Sequence, residues 1–150
     1  MTVSVQVEDF DVGAQLNKLR LASPNIGALV SFVGQVRDIN DGDSISTLTL
    51  EHYPGMTESA LQAIESEAKL RWDILDSLII HRVGTLKPLD QIVLVAIVSA
   101  HRGEAFKACE FIMDYLKTQA PFWKKEATKQ GERWVEAKLS DDLALKQWQK

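Results

Sequence analysis

The stretch from Gln91 to Gln119 constrains the fold more than any other part of the chain. Gln91 to Ala100 is a nearly unbroken apolar run and reads as a buried strand. His101 and Arg102 then lead into a helix expected over Gly103 to Gln119, with Ala105, Cys109, Ile112, Met113 and Leu116 as its buried positions. Pro121 stops that helix, because proline has no N–H to donate and its ring clashes with the preceding turn.

The other segments surround this pair in no regular order. Val3 to Val7 alternates apolar and polar residues, which predicts an edge or half-buried strand. Asp11 to Leu21 has helical composition and is closed by Ser23-Pro24-Asn25. Gly27 to Val36 reads as a largely buried strand, and Arg37 to Ser44 as a polar, mobile loop. Ser46 to Tyr53 is a further strand, with Leu48 and Leu50 on one face. Pro54-Gly55 turns the chain into a helix expected from about Thr57 to Trp72. There Thr57 is the predicted N-cap, Met56 a staple against Leu61, and Leu61, Ile64, Ala68 and Trp72 the apolar stripe. Ser77 to Val83 is expected to join the Gln91 strand through a turn containing Pro88. Short strands near Lys124–Thr128 and Arg133–Ala137 and a short helix after Ser140 complete the reading. Interspersed strands and helices of this kind predict an α+β fold, and the 150 residues carry no repeat or linker that would divide one domain.

Composition removes several classes of function. No apolar run approaches the roughly 18 residues that cross a bilayer, and the N-terminal residues lack the pattern of a signal peptide. Cys109 is the single cysteine, so an internal disulfide and a multi-cysteine zinc site are excluded. Its neighbours Phe106, Ile112 and Met113 suggest a packed thiol, and the expected compartment is the cytoplasm. A net charge of −4 argues against general nucleic-acid binding, which needs a basic face. Yet Lys117, Lys124, Lys125, Lys129 and Arg133 outnumber Glu126 and Glu132 over one short stretch, pointing to one specific anion. No pair among His52, His81 and His101 has metal-ligand spacing, and His81, in a strand-like run, reads as structural. No GxxxxGK or GxGxxG sequence is present, which disfavours nucleotide folds.

Three places have residues suited to chemistry. Ala100-His101-Arg102-Gly103 lies at a strand-to-helix junction, where unpaired backbone N–H groups and the helix dipole favour an anion. On residue types alone, a solvated Arg102 and a packed His101 are the plainer reading. Lys117 and Lys124 are seven residues apart, but Pro121 interrupts any shared helix face, so they can meet only across a bend. A lysine near a helix C-terminus and a solvated Lys124-Lys125 pair account for them equally well. Phe122 and Trp123, however, can partly desolvate the adjacent ammonium. Arg37 ends a strand and opens a polar loop, a common place for a binding residue.

Taken together, longer stretches resemble the molybdopterin synthase catalytic (large) subunit family. They are Phe-Val-Gly-Gln-Val-Arg-Asp (32–38), Leu-Thr-Leu-Glu-His-Tyr-Pro-Gly-Met-Thr-Glu (48–58) and Ser-Ala-His-Arg (99–102). Phe-Ile-Met-Asp-Tyr-Leu-Lys-Thr-Gln-Ala-Pro-Phe-Trp-Lys-Lys-Glu (111–126) and Arg-Trp-Val-Glu-Ala (133–137) follow in order. The resemblance runs from about Gly27 to Ala137. It implies an α/β-hammerhead type of fold: a mixed or antiparallel sheet, two long helices and a small additional β subdomain. It further implies a homodimer at the centre of a heterotetramer, with a small ubiquitin-like sulfur-carrier subunit at each end. The carrier's C-terminal Gly-Gly tail would bear a thiocarboxylate. The implied reaction transfers two sulfurs to cyclic pyranopterin monophosphate, giving the dithiolene of molybdopterin, and needs no cofactor because the sulfur arrives on the partner.

By the same resemblance Lys117 and Lys124 match catalytic lysines, and Arg37, His101 and Arg102 match residues that hold the substrate anion. Gln35, Val36, Lys125 and Glu126 flank them. Gln35 is a departure, since the resemblance implies a lysine there. If Gly103 and Lys117 begin and end one helix, about 14 residues at 1.5 Å each place them roughly 21 Å apart. A pterin monophosphate is shorter than that, so the expectation is a site shared across a dimer. The rival expectation is a non-enzymatic adaptor that binds the carrier's tail through the basic patch.

Overall fold

A computed structural model describes residues 2–40, 42–135 and 139–149. Along the chain come β1 (Thr2–Gln6), α1 (Val12–Arg20), β2 (Ala28–Gln35), β3 (Ile39–Asn40) and β4 (Asp43–His52). Then follow α2 (Met56–Arg71), β5 (Asp76–Arg82), β6 (Gly84–Leu86), β7 (Gln91–Ser99), α3 (Arg102–Thr118), β8 (Phe122–Thr128), β9 (Gly131–Val135) and α4 (Leu139–Lys146). The architecture is α+β, as expected.

The first sheet has the order β1-β5-β7-β2, with β1 parallel to β5 and the remaining pairs antiparallel. Its inner strand β7 is apolar from Ile92 to Val98 because both faces are covered. Val93, Val95 and Ile97 pack under α2 and α3, against Leu61, Ile64, Phe111 and Ile112. Leu94, Ala96 and Val98 face the other way, toward Phe10 and Leu19 beside α1. In the second sheet β4 pairs with β3, β6 and β8, and β9 pairs with β8. Val36, Leu48, Leu50, Val83 and Leu86 form its own small core.

Several boundaries differ from the sequence reading for identifiable reasons. The segment expected to be a largely buried strand is an edge strand: β2 pairs with β7 and leaves Phe32 40% and Val33 37% exposed. Residues 37–44 are not an open loop, because β3 folds back on β4 in a short hairpin; Asp41 lies outside the described residues. The N-cap of α2 is Gly55, at φ 86°, and not Thr57. The Glu58 carboxylate accepts from the Gly55 N–H, and Met56 is exposed, so it staples nothing. Thr57 is buried one position inside the helix; its hydroxyl accepts from the Tyr53 N–H and donates to the Pro121 carbonyl, each at 3.1 Å. The turn containing Pro88 is preceded by β6, a strand too short to show as a periodic run, which ties the β5–β7 connection to the second sheet. Phe106, expected beside the thiol, is exposed, while Phe111 fills the core. Glu136 and Ala137, expected to extend the last strand, lie outside the described residues.

Gly27 is required by packing. Its N–H donates to the Ser99 carbonyl at 3.0 Å, and a Cβ on it would stand 2.3 Å from the Ala100 carbonyl oxygen.

Candidate active site

The bend at Pro121 brings the two lysines together. Helix α3 finishes with the Gln119 N–H on the Tyr115 carbonyl at 2.8 Å. The Thr57 hydroxyl holds the Pro121 carbonyl, fixing where β8 begins. Side chains then alternate along β8. Phe122, Lys124 and Glu126 face a cavity to which α3 contributes Lys117. Trp123 and Lys125 face away from it: Trp123 meets the Tyr53 ring edge-on at 4.5 Å, and Lys125 lies 5.1 Å from the Trp134 ring centre and 3.6 Å from Glu132.

The opposite wall comes from the end of β2. A bulge between Gly34 and Gln35 turns the strand out of register with β7. Val36 is then buried and clamped, its N–H on the Asp90 carbonyl and its carbonyl accepting from the Leu89 N–H, both at 2.9 Å. That clamp sets Arg37, which is exposed, at the rim. The cavity has a volume of about 340 Å³ and is lined by Gln35, Val36, Arg37, Lys117, Lys124 and Glu126, together with Asn40 and Asp141. A smaller space of about 100 Å³ extends beneath it, sharing Gln35, Lys117 and Lys124 and reaching His81 and Met113.

Six of the nine residues expected at the site therefore line one cavity. Lys125 does not, because neighbouring residues on a strand point to opposite faces. His101 and Arg102 do not either. They are exposed at the start of α3, 15 to 16 residues before Lys117 along the helix, which separates them from it by roughly 23 Å. A Cβ on Gly103 would meet nothing within 4 Å, so no packing among the described residues demands a glycine there.

The basic stretch is also less available than its composition suggested. Arg133 turns inward to Glu126, its Nε and Nη2 each 3.1 Å from a carboxylate oxygen. Glu126 is buried and also accepts from the Asn40 amide. Arg133 reaches the Asn40 carbonyl as well, at 3.0 Å. Glu126 thereby ties β8 to β9 and to the β3 hairpin, and organises the wall of the cavity around itself.

His81, read from sequence as structural, is the least foreseen member of this neighbourhood. Its ring stacks on Phe122 with centroids 3.9 Å apart and planes 18° from parallel. Its Nδ1 lies 2.8 Å from the Arg82 carbonyl. Burial, with the charges of Lys124, Lys117 and His52, pushes its pKa down to about 3, so the imidazole is neutral. Strand periodicity alone does not distinguish a histidine packed in a core from one under a cavity; the signal would have needed the position of β8. Asn40 and Asp141 carry no local signal at all, since each is an ordinary polar residue until the second sheet and α4 are in place.

Chemically, the arrangement is a concave, cation-lined cavity able to hold an anionic ligand and to stabilise negative charge developing on it. Among the described residues no three His, Cys, Asp or Glu side chains are grouped to hold a metal ion. Nor, among them, is any helix long and apolar enough to cross a membrane.

The fold and sequence recur in known proteins. The profile of the family described as MoaE protein matches residues 5–119, and the chain belongs to that family. A molybdopterin synthase catalytic subunit from Ralstonia nicotianae is 63% identical over 147 residues, covering 98% of this chain and 84% of the relative. The solved structure of a molybdopterin biosynthesis MoaE protein from Burkholderia ambifaria superposes with a TM-score of 0.84 at 57% identity, covering 98% of this chain and 97% of that one. At 20% identity the fold still matches, with a TM-score of 0.74, a complex of subunits 1 and 2 of molybdopterin-converting factor from Helicobacter pylori, over 89% of this chain and 90% of that one.

Proposed function

We propose that this chain is the catalytic subunit of a molybdopterin synthase, moving two sulfurs from the thiocarboxylated C-terminus of a small ubiquitin-like carrier to cyclic pyranopterin monophosphate. The observation that carries the reading is the convergence of Lys117 and Lys124, from either side of the Pro121 bend, on one cavity with Arg37. The carrier's tail enters this cavity. The thiocarboxylate sulfur forms a C–S bond to the pterin side chain as a C–O bond there breaks and the cyclic phosphate opens. Water then hydrolyses the acyl intermediate and leaves the carrier as a carboxylate, and a second carrier delivers the other sulfur as the displaced oxygen leaves as water. Lys117 stabilises the terminal thiocarboxylate and serves as acid or base, while Lys124 stabilises charge developing during transfer. Arg37 holds the phosphate, with Gln35 and Val36 shaping the rim. Glu126 acts through Asn40 and Arg133 and not on the substrate. Sulfur arrives on the partner, so no cofactor takes part.

His101 and Arg102 stand too far along α3 to reach the lysines of their own chain. We propose that they complete the site of a second copy in a homodimer at the centre of a heterotetramer. The exposed Phe32 and Val33 on edge strand β2 and the exposed Phe106 on α3 supply apolar surface for such pairing. A lone, buried Cys109 suits a reducing cytoplasm.

The test is reconstituted turnover with thiocarboxylated carrier and the cyclic substrate, reading the oxidised dithiolene product by fluorescence. Wild type should form product, and folded Lys117→Ala should not. Mixing inactive Arg102→Ala with inactive Lys117→Ala should restore activity once subunits exchange. Exchange without activity would refute the shared site, and no product from wild type that binds the carrier would favour the adaptor reading.

A further inference from the structure

The chain carries a buried imidazole that neither the family resemblance nor the lysine chemistry uses. His81 is 6% exposed, its ring is held flat against Phe122, and it reaches the space beneath the two lysines. The Arg82 carbonyl next to Nδ1 can only accept a hydrogen bond, so Nδ1 must carry the ring proton. In a neutral ring of that tautomer Nε2 holds a bare lone pair and can only accept. An ammonium has three N–H donors and no acceptor, which makes it the natural complement. Lys124 shares the inward face of β8 with Phe122, the residue stacked on the imidazole.

We propose that His81 is a positioning residue whose Nε2 accepts from the Lys124 ammonium and holds it, protonated and oriented, in the cavity. The groups facing the ring are Lys124 from β8, Lys117 from α3 and His52 from β4, and all three, when charged, oppose a positive imidazole. Buried against them, the ring stays neutral through the physiological range and remains an acceptor. A histidine near its ordinary pKa would become a cation on mild acidification and repel a neighbouring ammonium.

Two substitutions separate this role from a structural one. His81→Asn keeps a donor near the Nδ1 position, for the Arg82 carbonyl, and has no acceptor where Nε2 stood. His81→Gln places its amide oxygen near the Nε2 position and gives up the donor. Labelling of Lys124 by an acetylating reagent at pH 8, quantified by mass spectrometry against the exposed Lys18, reports how much free amine is present. His81→Asn should raise Lys124 labelling by at least about threefold, because the Nε2 acceptor is gone from the cavity, and His81→Gln should stay near wild type. Equal labelling in both variants, or a rise in His81→Gln alone, would overturn the proposal.

Nitrogen NMR of the wild-type protein gives a test that needs no variant. The His81 ring should show a protonated Nδ1 and a bare Nε2 without titrating from about pH 5.5 to 8.5; a proton on Nε2, or titration in that range, would refute the assignment. The relevance of His81 to turnover rests on the synthase reading. There His81→Asn should lower kcat about tenfold with little change in KM and move the alkaline limb to lower pH. If wild type made no product, the synthase reading would fail while the labelling and NMR results on His81 would stand.

Discussion

Lys124 and Lys125 are neighbours in the chain and point to opposite faces of β8. Lys124 enters the cavity beside Lys117, and Lys125 lies over Trp134 with Glu132 as its ion partner. Replacing each by alanine should therefore give unlike results. Lys124→Ala should lower turnover by about 10²-fold or more, the usual loss when a group that stabilises developing charge is removed. Lys125→Ala removes a largely solvent-screened pair, worth at most about 1 kcal/mol, and should leave turnover within about threefold of wild type. Similar large losses in both would mean that the strand face does not sort the two lysines.

Glu126 should matter to stability before it matters to chemistry. Its carboxylate holds Arg133 and Asn40 from a buried position, so Glu126→Ala leaves both without that partner. Urea denaturation should show a loss of about 2 kcal/mol, moderated because Arg133 can turn to water. Glu126→Gln, which keeps one acceptor and the shape, should lose less. Unchanged stability in Glu126→Ala would show that the β3 hairpin and β9 are held by other contacts.

Glu65 gives the fold a pH dependence of defined sign. Buried on α2 and accepting from the Ser77 hydroxyl at 2.5 Å, it has its pKa raised by burial from 4.5 to about 7. The folded state therefore keeps the proton that the unfolded chain releases. The stability linked to this group is fully present below about pH 4.5 and is lost as pH rises through about 7, by up to about 3 kcal/mol. Glu65→Gln, neutral at every pH, should be more stable than wild type at pH 8 and show no such advantage at pH 4. Parallel stability profiles for the two proteins would contradict the assignment.

Gly27→Ala should be destabilising although the residue is exposed. The added methyl would stand 2.3 Å from the Ala100 carbonyl oxygen, so β2 or the end of β7 must shift. A loss of about 1–3 kcal/mol is expected by thermal or urea unfolding. Gly103→Ala, with open space at the same atom, is the contrasting substitution and should leave monomer stability near wild type.

Much of this protein could be read from local pattern. The covered strand Gln91–Ser99, the stripe of α3 and its stop before Pro121 follow from apolar periodicity and from proline geometry, which act within a few residues. Of the six cavity-lining residues that were expected, Arg37, Lys117 and Lys124 were candidates by type and position, and Gln35, Val36 and Glu126 came from an ordered resemblance over most of the chain. What the sequence could not determine were relations set by where a segment packs. The apolar run at Ala28–Gln35 has the composition of an interior strand, yet its place at the sheet edge leaves it half open. Thr57 looks like a helix cap, yet its hydroxyl spans to Pro121 across 64 residues. Lys125 and Lys124 are equivalent by composition until the pairing of β8 with β4 fixes which face is inward. His81 is another apolar-strand histidine until β8 lays Phe122 on its ring and two lysines above it. Periodicity and chain stiffness decide secondary structure locally; the face a side chain presents, and the charge it carries there, depend on neighbours that only the folded chain brings close.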